Sequence, residues 1–113
     1  MKDDRFYLLH IRDAIQNIVD YTAPGRDAFF ADKKTQDAVI RNLEIIGEAT
    51  KRLSPATAEQ RPEIPWKQVA GLRDVLIHNY FGINLETVWV VVETRLSELA
   101  IAIESLIPPM KRE

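Results

Sequence analysis

The sequence predicts an all-α fold, a helical bundle in a single domain spanning residues 1–113. Three observations carry this reading. Apolar residues recur at spacings of three and four along most of the chain. No alternating strand pattern of useful length occurs. Proline- or glycine-bearing stretches, "TAPGRD", "SPATAEQRPEIP" and Pro108-Pro109, fall between the periodic segments.

The first helix is expected from about Asp3 to Tyr21, with Leu8, Ile11, Ile15 and Ile18 facing inward. Pro24 and Gly25 break it. The second is expected from about Asp32 to Leu53, with Val39, Leu43, Ile46 and Leu53 on its inner stripe. Gly47 inside that helix costs about 1 kcal/mol relative to alanine, which implies a close neighbouring helix. The connector "SPATAEQRPEIP" has room for one short helical turn. The third helix starts near Pro65, since proline is tolerated at the first helical position, and ends around Asn79, before Gly82. The fourth begins after Asn84, a good N-cap, with Glu86 well placed against the helix dipole, and Pro108-Pro109 stop it after Ile107.

The fourth helix carries more apolar surface than one core needs. Leu85, Val88 or Trp89, Val92, Leu96, Leu99, Ile103 and Leu106 form one stripe, and Val90, Val91, Ile101 and Ile107 lie outside it. A symmetric homodimer would cover the excess. Thick packing within one chain is the alternative.

Composition narrows the function classes. The chain has 113 residues, 46% apolar and 28% charged, which suits one soluble domain. It has no cysteine, which excludes disulfides, thiolate metal sites and thiol nucleophiles, and fits a reducing cytoplasm. The N-terminal "MKDDRFYLLH" is charged with no long apolar run behind it, so no signal peptide is expected. The longest apolar run, "VWVVV", is far short of the roughly 20 residues that cross a membrane. Fifteen basic and seventeen acidic residues give a net charge of -2. RNA would therefore need local patches. Lys33-Lys34, Lys51-Arg52 and Lys111-Arg112 are the candidates, each read first as solvated surface.

The stretch "GLRDVLIHNYFG", residues 71–82, resists explanation by packing. On a wheel of about 100° per residue, Trp66, Val69, Leu72, Leu76 and Ile77 share an arc of roughly 140°. Arg73 falls inside that arc. A cation there must be paired or must open onto a cleft. His78 lies roughly 140° around the same helix, so the two meet over one target only if the helix ends near His78 or a twofold-related chain brings them together. Asp74 precedes His78 by four and is a candidate to orient it. Asn79 is a lesser candidate, and Asn42 falls on the inner side of the second helix. His10, the other histidine, reads as surface or packing.

Arg73-Asp-Val-Leu-Ile-His78-Asn-Tyr80 matches R-x4-H-x-Y, and the chain resembles the HepT-like toxins of the HEPN ribonuclease superfamily. The context agrees: "AVIRNLEIIGEATKRLS" is similar to that family's second helix and "IPWKQVAGLRDVLIHNYFGINLETVW" to its third helix and turn. The resemblance covers nearly the whole chain. It implies a four- to five-helix up-down bundle, a homodimer with paired motifs at its interface, and metal-independent cleavage of RNA as the toxin of a toxin–antitoxin pair. It further implies a minimal nucleotidyltransferase antitoxin that transfers AMP to Tyr80. Taken alone, Tyr80 reads as a packing residue near the helix end.

The chemistry fits these residue types. RNA is cut without metal when its 2′-hydroxyl attacks the adjacent phosphorus. Histidine, which ordinarily titrates at about pH 6.5, serves as acid or base near neutrality. Arginine's planar fork suits phosphate oxygens. The expected roles are proton transfer for His78 and phosphate binding for Arg73, with no cofactor and no metal ligands at binding spacing. The runner-up is a non-catalytic helical partner that docks a nucleotidyltransferase, or binds nucleotide or RNA without cleaving it.

Overall fold

Helix α1, Asp4–Thr22, starts where the Asp3 side chain accepts the backbone N–H of Phe6. The computed structural model describes residues 3–72 and 84–108. Among these, α1 is followed by α2 (Arg26–Ala31), α3 (Lys33–Lys51), α4 (Pro55–Glu59), α5 (Trp66–Ala70), α6 (Leu85–Thr94) and α7 (Leu96–Leu106). No strand occurs among the described residues, and the all-α expectation holds.

The break after α1 is shorter than expected. Gly25 takes φ 102°, in the left-handed region glycine tolerates, and the chain re-enters a helix at once. The sequence pattern alone assigns α2 no place. Its reason is Phe29, which is 1% exposed and packs against Trp89 at 5.3 Å between ring centroids. Asp32 then caps α3, accepting from Lys34 N–H at 3.2 Å and from the Thr35 hydroxyl at 2.7 Å. Ser54 caps α4, the short turn for which the connector had room.

Polar contacts set the direction of each helix. Arg5 donates to the Pro108 carbonyl oxygen, so α1 begins where α7 ends. Asp4 accepts from Ser54 just past α3, while Asn17 near the other end of α1 donates to Asn42 within α3. Both neighbours therefore run antiparallel to α1. Arg26 of α2 pairs with Glu86 of α6 at the opposite end of the bundle.

The core lies where the stripes meet. Leu8, Ile11, Ile15 and Ile18 of α1 are all buried, as are Val39, Leu43 and Ile46 of α3 and Leu96, Leu99 and Ile103 of α7. Leu53 lies past the end of α3 and is partly buried. Each such side chain contributes about 1.5–3 kcal/mol by leaving water. Gly47 is buried in α3, and α5 is one of that helix's packing partners.

The expected fourth helix is broken once. Asn84 caps it, accepting from Glu86 N–H at 2.9 Å and Thr87 N–H at 3.3 Å. At Arg95, φ −110° and ψ −28° interrupt the regular helix. The bonds continue across the interruption, Arg95 N–H to Val91 at 2.9 Å and Leu99 N–H to Arg95 at 3.2 Å. Thr94 supplies a cause: its hydroxyl donates back to the Val90 carbonyl at 2.6 Å, a bond that tends to bend helices. The apolar excess divides. Val90 and Ile101 stay 51% and 65% exposed, whereas Val91 and Ile107 pack against the chain's own core.

Candidate functional site

The leading flank of the motif is α5. Pro65 precedes the helix as its N-cap, one residue earlier than a first-turn proline. Val69 N–H closes the first turn on the Pro65 carbonyl at 3.0 Å, and the Trp66 indole N–H donates to the Arg61 carbonyl at 3.0 Å. Trp66, Val69 and Leu72 pack against the core as the wheel requires, none of them fully buried. Leu72 lines a small apolar groove of about 160 Å³ with Ile46, Val69, Val91 and Leu99. Helix α5 thus packs against α3 and shares this groove with Val91 and Leu99.

The trailing flank is Asn84 and the first turn of α6. Glu86 accepts from Arg26, whose guanidinium also sits 4.6 Å from the centre of the Phe30 ring. Trp89, one turn further on, is buried against Phe29. Arg73, Asp74, His78, Asn79 and Tyr80 lie outside the described residues, between these two anchors.

Asn42 is described. It is 6% exposed, accepts from Asn17 at 3.1 Å and donates to the Ala38 carbonyl at 2.8 Å. Both ends of its amide are therefore engaged at the α1–α3 seam, the arrangement of a satisfied polar core residue. His10 is exposed and its ring meets that of Phe6 at a tilt of 56°, with centroids 4.4 Å apart. Its surface reading holds. Phe6 is not among the residues the sequence singles out, although its spacing of four from His10 on a helix is the signal of a paired surface.

Hydrogen bonds hold three carboxyls of the described residues, Asp4, Asp32 and Glu63, below the usual carboxylate value. Burial pushes the Asp4 carboxyl up, but hydrogen bonds from the Ser54 and Thr57 hydroxyls and the Ser54 N–H outweigh it and leave it below the usual carboxylate value. Among the described residues, no group of three or more His, Asp or Glu side chains is placed to hold a metal ion. No helix of the described residues is long and apolar enough to cross a membrane.

The all-helical architecture of the described residues agrees with a HEPN-like helical fold. The model of the ribonuclease HepT-like family matches residues 11–106, and the chain belongs to that family. It is 44% identical over 113 residues to "Putative RNase MJ0127" of Methanocaldococcus jannaschii, covering 99% of this chain and 93% of that protein. It is 44% identical over 101 residues to "Probable ribonuclease HepT" of Thermococcus cleftensis, covering 88% and 92%. A third relative, "Gamma-glutamylcyclotransferase and putative RNase MJ0434" of M. jannaschii, is 46% identical over 99 residues, 87% of this chain but 45% of that longer protein. No solved structure matches.

Proposed function

We propose that this chain is a metal-independent endoribonuclease that acts as a cytoplasmic homodimer, the toxin of a toxin–antitoxin pair. The observation that carries the reading is Arg73, His78 and Tyr80 in family spacing within a chain that matches the HepT-like model over residues 11–106.

In this reading Arg73 holds the scissile phosphate and neutralises charge as the phosphorane forms. One His78 takes the proton of the RNA 2′-hydroxyl. The 2′-oxygen bonds to phosphorus, the bond from phosphorus to the 5′-oxygen breaks, and that oxygen leaves with a proton from the second His78. The products are a 2′,3′-cyclic phosphate and a 5′-hydroxyl. A single His78 cannot be acid and base at once, which is why the dimer enters the chemistry. The exposed Val90 and Ile101 support a second copy, since both leave apolar surface in water. Asp74 would orient His78, with Asn79 beside it.

Tyr80 is the proposed acceptor of AMP from a minimal nucleotidyltransferase antitoxin. The adenylyl group adds a phosphate beside Arg73 and competes with the RNA backbone. The intact mass of protein co-produced with such an antitoxin should rise in AMP-sized steps that Tyr80→Phe abolishes.

The direct test is incubation with total RNA in EDTA. Wild type should cleave, and Arg73→Ala and His78→Ala should not. Absence of cleavage by unmodified wild type would favour the second reading, a binding module that docks a nucleotidyltransferase, or binds nucleotide or RNA. The net charge of -2 is the observation on that side.

A further inference from the structure

A groove of about 680 Å³ runs along the outer seam between α1 and α3, apart from the α5–α6 flanks of the motif. That volume accommodates nucleotide-sized groups. One wall is aromatic: Phe6, 39% exposed, and His10 one turn along α1, their rings 4.4 Å apart. The opposite wall is a stripe of α3 that begins at Arg41 and reaches Arg52, the residue that caps the helix, with Glu44 and Glu48 between. The two arginines are eleven residues apart, about 16 Å along the helix axis.

Lys51 also lines the groove, so three cations face two carboxylates. Arg41 meets Glu44 at 3.5 Å and Arg52 meets Glu48 at 3.7 Å, both at the loose limit of an ion pair. Exposed pairs of this kind contribute little. Each engages a fraction of a guanidinium's five N–H donors and leaves the rest for phosphate oxygens. Exposed aromatic rings on which bases stack, set in a groove with cations for the backbone, are a recurring means of holding single-stranded nucleic acid. The carboxylates suit the amino edges of bases and count against an acidic peptide. In a chain of net charge -2, a local surface of this kind is what RNA contact requires.

We infer that the α1–α3 groove is a contact surface for single-stranded RNA, in which a base stacks on the Phe6–His10 pair and backbone phosphates meet Arg41 and Arg52. It rests on the ribonuclease reading, which makes RNA the ligand to expect on a surface of this chemistry.

Fluorescence anisotropy of the full chain tests it, with His78→Ala as the background so that a labelled single-stranded RNA stays intact. Arg41→Gln with Arg52→Gln should lower the slope of log affinity against log salt by about 1.4, two phosphate contacts on a single strand. Phe6→Leu with His10→Ala should weaken binding about tenfold by removing one stacked base. The arginine side chains are 70% and 60% exposed, so their loss spares the fold even if the aromatic variant does not. Unchanged affinity and slope in the arginine variant would overturn the inference. AMP binding that is sensitive to the same substitutions, without RNA binding, would overturn it in favour of a free nucleotide site. Wild-type cleavage with unaffected groove variants removes the groove alone, whereas groove-dependent binding without wild-type cleavage removes the ribonuclease reading alone.

Discussion

The α1–α3 pair and the α5–α6 pair are both helical, yet they use their side chains differently. Helices α1 and α3 have 19 residues each and bury an apolar stripe along their length. Helix α5 has five residues and buries none of them fully, and α6 buries only Val88 and Trp89. The first pair makes the fold. The second holds the two ends of residues 73–83 with a few caps, one ion pair and partial burial. Chemistry and stability should therefore be separable by mutation.

The largest expected effect is on chemistry. His78→Ala should lower RNA cleavage by about 10²–10⁴-fold, the usual contribution of a proton-transfer residue, while the thermal midpoint stays within a few degrees of wild type. A midpoint that falls with activity would make His78 part of the scaffold and erase the contrast. Next comes the core. Ile11→Ala or Leu43→Ala empties a site at most 1% exposed and should cost about 2–5 kcal/mol in urea unfolding. Cleavage per folded molecule should persist.

A smaller effect belongs to the junction of α1 with α4. Ser54→Ala removes both a helix cap and a donor to Asp4, for about 1 kcal/mol. The Asp4 carboxyl titrates lower in the folded chain than its ordinary 3.8. Its contribution is therefore complete above that value and disappears as pH falls from there through the lower folded value. Urea midpoints measured down the acid limb should fall less steeply in Asp4→Asn than in wild type. The smallest effect is Arg26→Ala. The Arg26–Glu86 pair is half exposed and should contribute about 0–1 kcal/mol. A larger loss, or a large loss of cleavage, would mean that α2 positions the motif more firmly than a surface bridge can.

The bundle was legible because burial writes a period into sequence. The stripe Leu8, Ile11, Ile15, Ile18 and the cap Asn84 could be read directly. Helix α2 escaped because six residues are too short to show a period, and Phe29 enters the core through a contact with Trp89 sixty positions away. The interruption at Arg95 escaped because it carries no proline or glycine, only a threonine hydroxyl bonded one turn back. Of the candidate site, Arg73 stood out as a cation on a buried arc, and the family match supports that region as a whole. The roles of Arg73, His78 and Tyr80 depend on where their side chains meet, which no periodicity encodes. Of the α1–α3 groove only the Lys51-Arg52 patch could be read, because Phe6, His10 and Arg41 join it only when the two helices pack antiparallel.

The most direct test of the central claim is the chemistry of the cut ends. Wild-type protein in EDTA should leave 2′,3′-cyclic phosphate and 5′-hydroxyl termini on RNA, and should not cut an RNA carrying a 2′-deoxy residue at the cleavage position. Termini with a 3′-hydroxyl and a 5′-phosphate, or cleavage at that deoxy position, would show that the 2′-oxygen is not the nucleophile and would contradict the roles given to His78 and Arg73.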